Sequence, residues 1–258
     1  MITIKKPEEV AVIRQGGQIL AQILRELLNQ SKVGVTTREI DELAEKMIIE
    51  AGGLPAFKNY PSDGSSPPFP STVCASVNQQ LVHTPPSDYR LQDGDIFTID
   101  IGMEYPAKGR GFFTDMAFTV AVGKVPKLTK KLLTVTQESL MRGIQQVRPG
   151  NHISDISKAV QHYVEQHGFS VVRQLVGHGV GYEVHEEPRI PNFYDPRQTD
   201  FELQPGMVLA IEPMVNIGEA AVDFLSDGWT VVTADNSLCA HFEHTVAVTE
   251  RGVEILTR

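Results

Sequence analysis

Behind Pro7, apolar residues at Val10, Ile13, Leu20, Leu24 and Leu27 return at the spacing of one helical face, and Glu8 and Glu9 favour a helix N-terminus. The pattern predicts an amphipathic helix from Pro7 to about Gln30. A second helix follows from Thr37, whose hydroxyl can cap it, through Ile40, Leu43, Met47 and Ile48 to a stop at Gly52 and Gly53. Later, Leu132 to Val147 predicts a third helix, and Ile153, Ile156, Val160 and Tyr163, ending at Gly168, a fourth. Around these pairs lie β-branched, apolar runs of strand character: LQDGDIFTID (91–100), FTDMAFTVAV (113–122), LQPGMVLAIE (203–212) and FEHTVAVT (242–249).

The second half of the chain echoes the first. Gly34, Ile40 and Gly52 match Gly150, Ile156 and Gly168, each 116 residues on, and run 91–100 matches run 203–212 at Leu, Gln, Gly and Ile. Asp100 and Glu212 close those two runs; Asp115 and Glu243 stand near the starts of the runs that follow. Two helix–helix–hairpin halves, about 5–125 and 126–258, related by a pseudo-twofold axis, would make a single α+β domain over 1–258. Such symmetry would bring Asp100, Asp115, Glu212 and Glu243 together at its centre.

A lone aspartate after a strand is ordinarily a turn or cap residue. Four carboxylates in a low-dielectric centre are different, because each must protonate, pair with a cation or bind metal. No Lys or Arg lies within several residues of Glu212, and Arg110, the nearest arginine before Asp115, sits in a Gly-rich turn. Metal is the simplest neutraliser. Oxygen ligands with an imidazole favour manganese, iron, cobalt or zinc, and four carboxylates suit two ions sharing bridging ligands.

His178 lies between Gly177 and Gly179, where small neighbours let a backbone pass close to a site. His185 follows in YEVHEEP, and His83 lies in LVHTPP. Taken singly, each reads equally as a surface or structural histidine. His185-Glu186 would begin a zincin motif, but its second histidine position holds Arg189. GHGVG lacks the GK[ST] ending of a phosphate loop and has Tyr182 where GxGxxG needs glycine. No GxSxG occurs.

Composition narrows the setting. The 258 residues can bury a sizeable core without staples, and the formal net charge of −9, with no basic block longer than two, argues against nucleic acid or an anionic membrane as partner. No uncharged apolar run approaches the roughly 18 residues of a membrane span. Cys74 and Cys239 are too few for a disulfide framework and read as small buried side chains in a reducing, cytoplasmic compartment.

CASVNQQLVHTPP, the Asp100 and Asp115 pair, VGHGVGYEVHEEPRIPNF, VLAIEPMVNIG and GWTVVTADNSLCAHFEHTVAVTERG together resemble the type I methionine aminopeptidases. That branch belongs to the pita-bread metallopeptidases, with prolidases and Xaa-Pro aminopeptidases. The likeness spans the chain from Ile4-Lys5 onward, with no room between His185 and Glu212 for the long insertion of type II enzymes. It implies a central curved antiparallel sheet with helices on its outer face. It also implies two divalent ions (cobalt, manganese, iron or zinc): Asp115 and Glu243 bridge them, Asp100 completes one site, and His178 with Glu212 the other.

The activity implied is removal of N-terminal methionine from nascent proteins when the next residue is small, water activated by the ions attacking the first peptide carbonyl. By resemblance His185 donates to the developing oxyanion, His83 lies by the scissile nitrogen, and Glu212 carries the proton to the leaving amine; a structural role is the alternative for both histidines. Phe69, Cys74 and Trp229 fall where the methionine slot is expected, although a single tryptophan can equally be core packing. The chain departs from the family at Val184, Phe69 and Thr84, in a longer hairpin at 103–111 and in the loop PSDGSSPPFP (61–70), which is placed to border the pocket. Partners implied are polypeptide N-termini, with the ribosome a further candidate, acting on a monomeric enzyme. A proline-specific peptidase and a non-enzymatic binder on the same scaffold are the competing readings; the five intact ligands count against the second.

Overall fold

A computed structural model describes residues 2–62, 64 and 67–258. Helix α1, Pro7–Gln30, begins where the sequence places it: Pro7 sits in the first turn and the Glu9 carboxylate accepts from the Lys6 amide at 2.8 Å. Helix α2 spans Thr37–Glu50, capped by Thr36 and not by Thr37. The Thr36 hydroxyl accepts from the Glu39 amide at 3.1 Å, and Glu39 returns a bond from the Thr36 amide at 2.7 Å. The Thr37 hydroxyl instead donates to the Ser87 carbonyl at 3.0 Å. Helix α3, Lys127–Ile144, starts earlier than its apolar pattern predicts, because Lys127 to Lys131 add a largely polar first turn, and it ends in a turn at Gln145 and Gln146 before Val147. Helix α4 covers Ile153–Gln166, as expected.

Strand Ile96–Tyr105 pairs along its full length with strand Phe112–Ala121, and Val73–Val77 flanks it on the other side. In the second half, Val208–Ile211 lies between Gly177–Gly179 and His244–Thr249, with Glu186–Ile190 and Gly252–Ile255 at the edges. Every ladder between these strands is antiparallel. The first strand therefore starts at Ile96 and runs past Asp100, so the carboxylate stands mid-strand and not at a strand end.

Each helix pair covers its own half. Leu20, Leu24 and Leu27 of α1 with Ile40 and Ile48 of α2 bury against Val73, Phe97, Ile99 and Ile101. Leu132, Leu140 and Ile144 of α3 with Ile156 and Val160 of α4 bury against Leu209, Ile211 and Val246. Each fully buried aliphatic side chain contributes about 1.5–3 kcal/mol, against a few tenths for a surface ion pair such as Arg142–Glu138, so packing and not charge holds the helices down.

The two halves also interlock directly. Phe118 of the first half meets Phe242 of the second edge-to-face at 4.5 Å. The Lys5 amide donates to the Gly206 carbonyl at 2.8 Å. Helix α1 lies so close to the chain end that a Cβ on Gly17 would stand 2.6 Å from the Leu256 carbonyl oxygen. Gly17→Ala is expected to cost about 1–3 kcal/mol through this overpacking, read as a lowered urea midpoint at unchanged slope. An unshifted midpoint would mean that the helix and the C-terminal segment do not touch.

Candidate metal centre and active-site cavity

The centre sits where the two halves meet. Asp100 lies opposite Cys74 on one neighbouring strand and Ala117 on the other, and Asp115 lies opposite Gly102. The Thr245 hydroxyl donates to the Asp115 carbonyl at 2.7 Å and accepts from the Asp115 amide at 3.0 Å. The Glu243 amide donates to the Ala117 carbonyl at 2.8 Å. These bonds clamp a second-half segment onto the first-half hairpin and hold Asp115 and Glu243 side by side. Glu212 follows strand Val208–Ile211 directly, and His178 pairs with Ala210 of the same strand. The glycines beside His178 are required by contact: a Cβ on Gly177 or Gly179 would stand 2.4 Å from a carbonyl oxygen of Ala210 or Glu187.

One cavity of about 110 Å³ is lined by Asp100, Asp115, His178, Glu212 and Glu243 together with His83, His185, Phe69, Cys74 and Trp229. All ten residues singled out from the sequence thus face one space. No Lys or Arg lines it. Asp100, Asp115 and Glu243 are buried, and among the described residues Asp100 Oδ1, Asp115 Oδ1 and Glu243 Oε1 have no hydrogen-bond partner. Burial raises the pKa of all four carboxyls, and mutual repulsion raises Asp115 and Glu243 further.

His178 completes the donor set. Its Nδ1 lies 2.9 Å from the Gly179 carbonyl, which can only accept, so Nδ1 carries the proton and Nε2 presents a lone pair to the carboxylates. Nε2 is 3.6 Å from Glu212 and 3.8 Å from Asp115, beyond hydrogen bonding. One ligand atom each from Asp115, His178 and Glu243 fall within 4.8 Å of one another, so these three could hold a metal ion. Orphaned buried oxygens, an imidazole oriented from behind and no protein cation nearby all fit a divalent ion. Burial lowers His178 to about 3 and His83 to about 4, and lowers His185 as well, so all three imidazoles are neutral at physiological pH.

Phe57 and Tyr60 of the cavity lining, and His241 beside Glu212, were not singled out from the sequence. His241 is buried with its Nε2 3.3 Å from Glu212, and among the described residues neither ring nitrogen has a hydrogen-bond partner. Its signal was the spacing to Glu243: two residues apart before a strand, side chains share a face. The Tyr60 hydroxyl lies 2.7 Å from His185 Nδ1, and nothing in the sequence around Tyr60 announces it.

The remaining wall is apolar. Phe57, Phe69, Cys74 and Val184 cluster there, and Phe57 can lie against Gly102 because a Cβ at that position would stand 2.7 Å from its ring. Trp229 stacks edge-to-face on Phe69 at 5.2 Å and donates its indole N–H to the Pro67 carbonyl at 3.0 Å, so it is a wall of the cavity and not core. Pro67 brings the loop 61–70 to the pocket rim; Asp63, Ser65 and Ser66 of that loop lie outside the described residues.

The chain from residue 11 to 250 matches the model of metallopeptidase family M24. Methionine aminopeptidase 1 of Bacillus subtilis (strain 168) is 49% identical over 258 residues, covering all of both chains. The crystal structure of methionine aminopeptidase from Rickettsia prowazekii superposes with a TM-score of 0.93 at 36% identity over all of both chains. The prolidase from Pyrococcus furiosus, at 24% identity and a TM-score of 0.76 over 99% of this chain and 65% of that one, shares the fold alone. The chain belongs to metallopeptidase family M24 and, within it, to the methionine aminopeptidases with the pita-bread fold.

The loop carrying His185 is tied to the N-terminal segment. Lys5 is buried, and its Nζ meets Glu186 at 2.6 Å and the Thr3 hydroxyl at 2.6 Å. The other Glu186 oxygen accepts from the Tyr182 amide at 2.5 Å and the Glu183 amide at 3.1 Å. Lys5→Met strands a buried carboxylate beside His185 and is expected to cost about 3–5 kcal/mol in chemical denaturation, with Lys5→Met/Glu186→Gln recovering part of it. Additive losses in the double variant would mean the two side chains do not interact.

Proposed function

We propose that this chain removes methionine from the free N-terminus of polypeptides whose second residue is small, using two divalent ions held by Asp100, Asp115, His178, Glu212 and Glu243. The observation that carries this reading is the pairing of five ligand side chains, four of them buried and none with a Lys or Arg among the described lining residues, with an apolar slot on the same cavity wall. Asp115 and Glu243 come from different halves and stand side by side, which suits bridging; Asp100 serves one ion, and His178 with Glu212 the other. Such ions, when bound, bring a water towards neutral pKa and anchor an α-amino group, which restricts cleavage to chain ends.

The chain's own residues do the rest. Phe57, Phe69, Cys74, Val184 and Trp229 take the methionine side chain, whose flexible, polarizable thioether suits aromatic walls. His185, held from behind by the Tyr60 hydroxyl, supplies a neutral N–H to the scissile carbonyl oxygen as charge develops there. His83 stands at the leaving amide nitrogen, and Glu212 passes the proton to it. Both halves contribute ligands, so we read 1–258 as one catalytic unit. The cysteines are free and buried, in keeping with a cytoplasmic enzyme whose substrates leave the ribosome. Among the described residues no helix is long and apolar enough to cross a membrane.

Metal-stripped protein titrated with manganese, iron, cobalt or zinc is expected to bind two ions per chain by calorimetry and to cleave Met-Gly-Met-type peptides. Cleavage of Xaa-Pro peptides instead would favour the proline-specific reading, and binding without turnover of either would favour the non-enzymatic one. Asp115→Ala and Glu243→Ala are each expected to lower turnover more than about a hundredfold, beyond what loss of an outer partner costs, and to reduce bound metal. Near-native activity of either variant at saturating metal would refute the bridging assignment.

A further inference from the structure

A second cavity of about 200 Å³ opens onto the same centre. It shares His83, His178, His185 and Glu212 with the methionine cavity, and beyond them it is lined by Gln174 and Arg189, with Leu175 and Met214 among its apolar wall. His83 and His185, assigned above to the scissile bond, face both spaces. The methionine cavity is apolar on its far wall and fits one side chain, so the rest of the polypeptide leaves through the second opening.

Arg189 stands exposed on strand Glu186–Ile190 at that exit. Among the described residues it makes no ion pair, hydrogen bond or ring contact, whereas Arg14, Arg38 and Arg142 are all bound to carboxylates. Among the described residues Glu212 is the only carboxylate in the lining, and the bound ions would take up its charge. A guanidinium fork without a partner among the described residues thus lies on this wall, in a protein whose formal net charge is −9. An extended chain advances about 3.3 Å per residue, so the residues one and two places after the small second residue pass along this wall.

We propose that Arg189 is a specificity determinant on the exit side, favouring polypeptides with Asp or Glu at the third or fourth position. The proposal rests on the aminopeptidase activity above and names part of its substrate class. Its magnitude is that of a rim-exposed charge pair, roughly threefold to fivefold in kcat/KM, and it fades as salt screens the pair.

The test uses the metal-loaded enzyme and C-terminally amidated peptides of the forms Met-Gly-Xaa-Ser and Met-Gly-Ser-Xaa, with Xaa being Asp, Ser or Lys. The expected result is an Asp-over-Lys preference in the native enzyme at low ionic strength. Arg189→Lys should keep part of it, Arg189→Ala flatten it and Arg189→Glu invert it, with the preference shrinking in 0.5 M salt, a concentration at which the screening length is only about 4 Å. A preference equal in all four proteins, or none in the native enzyme, overturns the assignment of Arg189 while leaving the peptidase reading intact. Failure of the native enzyme to cleave any of the peptides, the uncharged Met-Gly-Ser-Ser included, overturns the peptidase reading and the proposal with it.

Discussion

Four carboxyl groups share a buried space that no lysine or arginine enters, and the fold would pay heavily for this were the charge left alone. Every other feature of the site answers that constraint. His178 is turned by the Gly179 carbonyl so that its lone pair adds to the acidic oxygens and does not neutralise them. The neighbouring imidazoles are held uncharged by burial. The protein itself offers no counter-charge, so the charge balance of the centre is left to divalent cations, in accord with the family to which the chain belongs.

Holding like charges together demands a rigid frame, and the frame is the joint between the halves. On one side Phe112–Ala121 pairs with Ile96–Tyr105, and on the other His244–Thr249 pairs with Val208–Ile211 and Gly252–Ile255, in a separate sheet. Across the gap the contacts are few but directional: Thr245 binds both backbone groups of Asp115, and Thr119 donates to the His241 carbonyl at 2.7 Å while accepting from its amide at 3.0 Å. A threonine side chain thus serves as a backbone substitute where two twisted sheets cannot continue one ladder. The same joint places Glu243 against Ala117 and aligns the ring of Phe118 with Phe242.

Much of the fold was legible because its elements follow simple periods. The helical stripe from Pro7 to Gln30 and the segment from Ile153 onward are strongly amphipathic and bounded by proline or glycine, so their positions are recovered almost to the residue. Boundaries without such punctuation drifted. Helix α3 begins five residues before Leu132, since its polar first turn carries no apolar signal. The cap of α2 moved from Thr37 to Thr36, because two adjacent threonines look alike until one of them is needed by Ser87. In the site, Tyr60 and His241 carry no such signal: one reaches His185 across 125 residues of chain, and the other lies just before the run that begins at Phe242.

The sequence alone determined the identities of the acidic side chains, their recurrence in two halves and the absence of basic neighbours, because these are properties of spacing along a chain. It could also place glycines around His178, since a backbone approach that leaves no room for a Cβ has to be encoded locally. Only the tertiary structure decided that Asp115 and Glu243 stand side by side, that Phe57 and Trp229 wall one cavity and that Arg189 lines a second. Each of those facts is a distance between residues far apart in sequence, and such distances are set by packing of one half against the other, which no local pattern records.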